Sequence, residues 1–308
     1  MSHPAIAPRP RVVLVDGVPM SGLIAEVEDP KAVVLAFHGG ASTAAYFDCP
    51  GYPQLSLLRV GAALGYTMVA LDRPGYGSSA PYPDAMDLPE QRVALAYGAL
   101  DKVLADKPRG AGLFLVGHSA GCEMALRLAA DRRATTEPVI GLELAGTGLR
   151  YAEAARNILK AATPTSRPSG LRELLWQPEH LYPADVLSSM TNATTGARYE
   201  IDTTRNWSRR DFPDLAARVE APVHFTVAEY ERVWQSGPDD LAQIGALFTA
   251  SPRFVTGEQT GTGHNLSLSY HATAYHLKVL SFVEECVAAQ RTRTQSPATE
   301  TSQKREAG

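Results

Sequence analysis

Cysteine is scarce in this chain. Cys49, Cys122 and Cys286 are the three thiols in 308 residues, odd in number and far apart. That spacing builds neither a zinc site nor a disulfide framework. Such usage fits a reducing compartment, and the expected location is cytoplasmic. Neither sign of charge dominates: 29 Lys and Arg stand against 33 Asp and Glu, a net −4. This excludes the electrostatic footprint of a nucleic-acid binder or a polybasic membrane anchor. Long apolar runs are missing too, since no stretch approaches the ~18 residues that a membrane span needs. The first eleven residues carry three prolines and no apolar run of an export signal. What remains is a chain that is 44% hydrophobic, with enough apolar material for a large core and length for one large unit with an insertion, or two domains. The expected partner is a small molecule, with no metal and no cofactor.

Short strand-like segments at Val12 to Val15 and Leu23 to Val27 flank Asp16-Gly17, a dipeptide suited to a hairpin turn. Further strand candidates at Ala32 to Phe37, Tyr66 to Leu71, Leu113 to Val116 and Val139 to Leu144 are mostly continuous apolar runs, the pattern of strands covered on both faces. Helical patterns lie between them, at Leu55 to Leu64, Leu88 to Leu104 and Cys122 to Ala130. Alternation of this kind predicts an α/β fold with a mostly parallel sheet flanked by helices. The rhythm breaks at 147–219, where Pro164, Pro168 and scattered aromatics replace it, with a helical fragment around Ala152 to Ala161. This segment reads as an inserted cap. The sheet pattern resumes at Val223 to Ala228, followed by a helix over Asp239 to Phe248, a short strand at Arg253 to Thr256 and a last helix over Ala272 to Ala288. The expected division is therefore a core of 10–146 and 220–288, a cap of 147–219, and a polar tail of 289–308 with too little to bury to stay ordered.

Gly117-His118-Ser119-Ala120-Gly121 follows a buried-strand pattern and precedes a helix. A serine at the tip of such a turn sits in strained backbone, and only small residues two before and two after it avoid the neighbouring chain. The helix that follows turns free N–H groups and its positive dipole end to the same spot, so an oxyanion formed there is stabilised. Ala120 is the natural backbone donor. His38-Gly39-Gly40 follows the strand ending at Phe37, and glycine lets that backbone approach a ligand closely. A second donor is expected from Gly40 or Ala41, with His38 as a hydrogen-bonded neighbour.

A serine hydroxyl needs a base. Of eight histidines, His264 is favoured because Thr260-Gly261-Thr262-Gly263-His264-Asn265 reads as a polar loop after the last strand, where loops converge at the carboxyl edge of a sheet. His271 and His276 belong to the last helix, His3 to the tail, His224 to a strand and His180 to the cap, where it is a candidate for the cavity wall. The acid that orients the base should follow a strand between Ser119 and His264. Glu231 is the first choice, Glu229 the second, and Glu143, inside an apolar strand, a third.

These residues, in this order, resemble the α/β-hydrolase superfamily over most of residues 10–288. Leu71-Asp72-Arg73-Pro74-Gly75-Tyr76-Gly77-Ser78-Ser79 is similar to that family's stretch after the strand preceding the nucleophile. The resemblance implies an eight-stranded, mostly parallel sheet, a nucleophile elbow at Ser119, an oxyanion hole from the loop at His38 to Ala41 plus Ala120, a cap where 147–219 lies, and a histidine at 264. Many members carry the acid in a Gly-x-x-Asp pattern; here it reads Ala228-Glu229-Tyr230-Glu231, with Glu231 in the aspartate's place. Serine at the elbow disfavours relatives with an aspartate nucleophile, the epoxide hydrolases and haloalkane dehalogenases. Tyr151, Leu174, Leu175, Trp176, Leu181, Tyr182, Met190 and Trp207 suggest an apolar cap wall. Expected substrate contacts are His38, Gly39, His118, Trp176, Tyr182 and Trp234. The expected activity is a serine hydrolase cleaving a small or medium apolar ester or thioester through an acyl-enzyme. Alternatives on the same scaffold are acyl transfer or cyclisation, cofactor-free lyase chemistry with His264 as base, and a non-catalytic ligand-binding receptor working through cap movement.

Overall fold

The computed structural model describes residues 6–135, 137–160, 169–190 and 194–295. The chain opens with a hairpin, β1 (Arg9–Val15) and β2 (Val18–Ala25), paired antiparallel. Asp16 and Gly17 both take positive φ, 47° and 82°, the left-handed pair that matches the twist of two adjoining strands. Then come β3 (Val33–Phe37), α1 (Leu57–Ala63), β4 (Thr67–Leu71), α2 (Pro89–Leu104), β5 (Leu113–His118), α3 (Gly121–Ala129) and β6 (Val139–Ala145). The segment after β6 holds α4 (Glu153–Lys160), α5 (Leu171–Trp176), α6 (Ala184–Met190), α7 (Glu200–Asn206), a π-helical turn over Trp207–Asp211 and α8 (Phe212–Ala216). The core closes with β7 (Val223–Tyr230), α9 (Pro238–Leu247), β8 (Phe254–Gly263) and α10 (Ala272–Gln295).

The eight strands form one sheet in the order β1-β2-β4-β3-β5-β6-β7-β8. β1, β2 and β4 pair antiparallel and every other pair is parallel. Alternation within the buried strands divides the core in two. Val33, Leu35 and Phe37 of β3 face α2, α3 and α8, packing with Leu100, Leu126 and Phe212. Val34 and Ala36 face α1 and α10, packing with Leu58, Val279 and Val283. Each such buried Leu, Val or Phe contributes about 1.5–3 kcal/mol relative to exposure, so a one-residue slip of β3 would exchange both layers at large cost. α8, at the end of the segment read as a cap, packs on α3 and so covers the sheet.

Two boundaries differ most from the sequence reading. β8 runs ten residues to Gly263 rather than stopping near Thr256, because its glycine-containing backbone pairs with β7 through Tyr230↔Gly263, across a bulge after Ala228. A Cβ at Gly257 would stand 3.1 Å from the His224 ring, so glycine there admits a neighbour as well as weakening local strand propensity. α10 continues to Gln295, so 289–295 is not the disordered start of a tail. No Gly or Pro interrupts 272–295, and Arg293 in the last turn suits the negative end of the helix dipole. Residues 296–308, Pro164, Pro168 and Ala161 lie outside the described residues. Among the described residues no helix is long and apolar enough to cross a membrane.

The strand order reverses at β3, which has β4 on one side and β5 on the other. Loops from neighbouring strand ends diverge at such a point and leave a crevice at the carboxyl edge.

Candidate active site

Ser119 ends the turn between β5 and α3 with φ 54°, a left-handed conformation that costs a non-glycine residue roughly 1–2 kcal/mol. The turn is held by the Ser119 N–H donating to the Ala145 carbonyl at 2.8 Å and by Cys122 N–H donating back to the Ser119 carbonyl at 3.0 Å. The flanking glycines are obligatory: a Cβ at Gly117 would lie 2.7 Å from the Cys122 Cα, and one at Gly121 would run into the Phe37 carbonyl. The hydroxyl is thereby pushed out over the strand ends.

His264 directly follows β8, and its Nε2 is 3.1 Å from the Ser119 Oγ. On its other side Nδ1 lies 2.9 Å from Glu231 Oε2 and 3.1 Å from Oε1. With the carboxylate ionised, Nδ1–H donates to Glu231 and Nε2 is left to accept the serine proton. Burial alone would push the Glu231 carboxyl up. The charge and hydrogen bond of His264 and the Val233 and Trp234 N–H groups outweigh it and hold the carboxyl below the usual glutamate range. Residues 119, 264 and 231 are thus joined in one hydrogen-bonded chain. Glu229 is not part of it: this residue lies within β7, and its carboxylate accepts from the Gly261 N–H at 2.7 Å. Glu143 is likewise excluded, because its two oxygens accept from His224 Nδ1 at 2.5 Å and the Tyr275 hydroxyl at 3.0 Å. A side chain on the far face of β6 cannot reach His264.

The loop after β3 supplies N–H groups opposite the elbow. Among the described residues, no hydrogen bond engages the N–H of Gly40 or of Ala120. Ala41 differs, since its N–H donates to the Tyr76 hydroxyl at 3.1 Å, so of the two residues read as second donor only Gly40 has a free group. A Cβ at Gly39 would press on the His118 ring and the Ser119 Cβ at 3.1 Å, which explains glycine there without any ligand. His118, read as a substrate contact, is instead framework, and so is His38, read both as a hydrogen-bonded neighbour and as a substrate contact. His38 accepts from the Arg73 N–H at Nε2 (3.0 Å), which leaves Nδ1–H to donate to the Gly39 carbonyl at 2.8 Å. Burial, then the Arg73 charge, lowers its pKa well below the usual value. His118 stacks on Tyr46 with ring centroids 4.4 Å apart. Its Nε2 donates to the His264 carbonyl at 2.8 Å, and burial, then His264, lowers its pKa to about 3. It stays neutral and fixes the backbone that carries His264.

Residues 33–275 match the model of the alpha/beta hydrolase family. The chain belongs to that family. No curated protein matches it. Solved structures similar to it include a highly thermostable carboxyl esterase from Bacillus coagulans, 17% identical, with 91% of this chain and 99% of that one aligned at a TM-score of 0.63. A thioesterase domain from the curacin biosynthetic pathway is 19% identical over 88% and 99% of the two chains, with a TM-score of 0.57. An epoxide hydrolase from Vigna radiata is 17% identical over 90% and 98%, at 0.63. At such identities the likeness is one of fold.

In this family member the aromatic side chains of 147–219 read as a substrate wall, and Trp234 of the core, are mostly turned to each other. Trp176 and Tyr182 meet edge to face at 5.3 Å and join the α1/α10 layer. Trp234 stacks on Tyr151 at 4.2 Å and lies beside the Glu231 loop. All three are buried, so their contribution is to hold the segment between β6 and β7 against the sheet and its helices. The sequence reading missed Thr147, which accepts from Trp207 Nε1 at 2.9 Å, and the group Arg73, Tyr76 and Glu200. Arg73 donates to the Gly39 carbonyl at 3.1 Å and pairs with Glu200, while the Tyr76 hydroxyl donates to Glu200 at 2.5 Å. Arg73 and Tyr76 stood in a recognised stretch that could have drawn notice; Glu200, at the start of α7, carried no signal at all.

Proposed function

We propose that the protein is a serine hydrolase that cleaves a small or medium apolar ester or thioester through an acyl-enzyme. The observation that carries this reading is the continuous path from Ser119 Oγ to His264 Nε2 (3.1 Å) and from His264 Nδ1 to Glu231 (2.9 Å), beside two unengaged backbone N–H groups. His264 takes the serine proton as Oγ attacks the carbonyl carbon, and Glu231 stabilises the imidazolium that results. The carbonyl oxygen becomes an oxyanion and accepts from the Gly40 and Ala120 N–H groups. Collapse expels the alcohol or thiol, protonated by His264, and leaves the acyl group on Ser119. Water, deprotonated by His264, then releases the acid.

Serine also argues against epoxide chemistry on this site. Attack by Oγ on an epoxide would leave an ether, which water does not cleave, whereas an acyl ester turns over. The test is labelling of the folded protein with a fluorophosphonate and mapping of the adduct. Modification at Ser119, with p-nitrophenyl butyrate turnover lost in Ser119→Ala, is the expected result. Absence of an adduct at Ser119 would refute the reading.

A further inference from the structure

The Gly39 carbonyl and the Gly40 N–H belong to one peptide unit, whose planarity and trans geometry point them in opposite directions. Whatever holds that carbonyl therefore aims that N–H. The carbonyl accepts from Arg73 Nη2 at 3.1 Å and from His38 Nδ1 at 2.8 Å. The next peptide is held as well, through the Ala41 N–H on the Tyr76 hydroxyl. Both units flanking the Gly40 Cα are thus pinned, and the two pinning side chains meet on a single carboxylate. Glu200 Oε1 pairs with Arg73 Nη2, and Glu200 Oε2 accepts from Tyr76 at 2.5 Å. Glu200 begins α7, within the segment inserted between β6 and β7. Arg73 is fully buried, its Nε and Nη1 have no partner among the described residues, and Glu200 is the one carboxylate there within ion-pair reach of it.

We propose that Glu200 is a positioning residue for the oxyanion hole, a carboxylate carried by the cap that locks Arg73 and Tyr76 so that the Gly40 N–H points at the developing oxyanion. This rests on the serine-hydrolase reading above and adds that the hole is complete only while the cap is seated. Loss of the carboxylate leaves a buried guanidinium uncompensated, which must shift or admit water. The Gly39 carbonyl then keeps His38 Nδ1–H but loses the fixed position of its second donor, and the peptide gains room to tilt, since Gly40 has no side chain and even a Cβ there would meet nothing nearer than 3.8 Å. A misaimed N–H weakens binding of the transition state and leaves the bound substrate almost unaffected, so the loss falls on kcat rather than KM.

The experiment compares Glu200→Ala, Glu200→Gln and Tyr76→Phe with wild type on p-nitrophenyl butyrate. Active sites are counted by fluorophosphonate labelling to completion, and the affinity of butylboronic acid, which forms a tetrahedral adduct on serine, is measured alongside. Deleting a direct oxyanion donor costs on the order of 100-fold or more, so disturbing its aim should lower kcat per labelled site about tenfold in Glu200→Ala and Tyr76→Phe. KM should stay within about twofold, and boronate affinity should fall in step with kcat. Glu200→Gln keeps an acceptor but not the charge that Arg73 needs, and should fall between. Should Glu200→Ala not fold, the two conservative variants decide. The proposal is overturned by kcat per labelled site within about twofold of wild type, or by a kcat loss matched by a rise in KM with boronate affinity unchanged. Failure of the wild type to label at Ser119 would remove the hydrolase reading itself. Labelling and turnover in wild type, with Glu200→Ala unaffected, would remove this inference alone.

Discussion

Glu231→Gln keeps the shape of the acid and removes its charge, and the surroundings dictate how the new amide must sit. The Val233 N–H donates to Oε1 at 2.8 Å, so the glutamine oxygen stays on that donor and the NH2 group takes the place of Oε2, 2.9 Å from His264 Nδ1. An NH2 there needs an acceptor, which forces the proton of the imidazole onto Nε2, the atom that receives the serine proton in the proposed mechanism. The electrostatic loss adds to this. Glu231 and His264 side chains are 4% and 2% exposed, so salt and water screen the pair poorly. A unit pair about 4 Å apart at an effective dielectric of about 20 is worth about 4 kcal/mol. That is about three powers of ten in rate, and the wrong tautomer brings the total nearer 10⁴. The assay is kcat for p-nitrophenyl butyrate between pH 6 and 9, normalised to labelled sites. A Glu231→Gln enzyme within about tenfold of wild type would refute the assignment of this carboxylate, all the more so if Glu229→Gln were the slower variant.

Two further outcomes follow from the strained and buried groups. Ser119→Gly and Ser119→Ala should both be inactive, but the glycine variant should be more stable by about 1 kcal/mol, because only alanine keeps a Cβ at φ 54°; equal urea midpoints would contradict strain at the elbow. Acid should unfold the protein early. Burial first of all holds the pKa of His38 well below normal and those of His118 and His276 at about 3. The unfolded chain therefore binds protons below about pH 6.5 that the folded one refuses. Stability falls as pH drops through that value, by up to about 4 kcal/mol per pH unit for three sites. His224 has the opposite sign, since the charge and hydrogen bond of Glu143 outweigh burial and raise its pKa, so its stabilisation is present below 6.5 and is lost as pH rises through the folded value. Three sites outnumber one, and urea unfolding should show less stability at pH 5 than at pH 7. Equal or greater stability at pH 5 would refute the neutral burial of those rings.

The parts of the site that could be read from the chain were those encoded locally. Gly117 to Gly121 between an apolar strand and a helix signals a strained elbow because close packing at both glycines is a property of the turn itself. His264 and Glu231 could be narrowed by their positions after strand patterns. The choice of Glu231 over Glu229 could not be settled there: β7 continues through Tyr230 with a bulge after Ala228, and that register turns residue 231 toward His264 and gives residue 229 to Gly261. The placing of His38 and His118 among the substrate contacts has a related cause. Their hydrogen bonds run to Arg73 and to the backbone of His264, partners distant in sequence, so proximity to the elbow alone made them look like substrate contacts.

The amino-acid order by itself determined the α/β class, the two-faced burial of β3 to β6, the elbow at Ser119 and the glycine loop at 39–40. Each of these depends on side-chain periodicity or on backbone freedom within a few residues. Only the tertiary structure decided which carboxylate meets the imidazole, which N–H groups stay unengaged, and that a carboxylate from the inserted segment closes on Arg73 and Tyr76. Those outcomes depend on the packing of elements far apart in the chain, where a register shift of one residue exchanges partners and no local pattern records the choice.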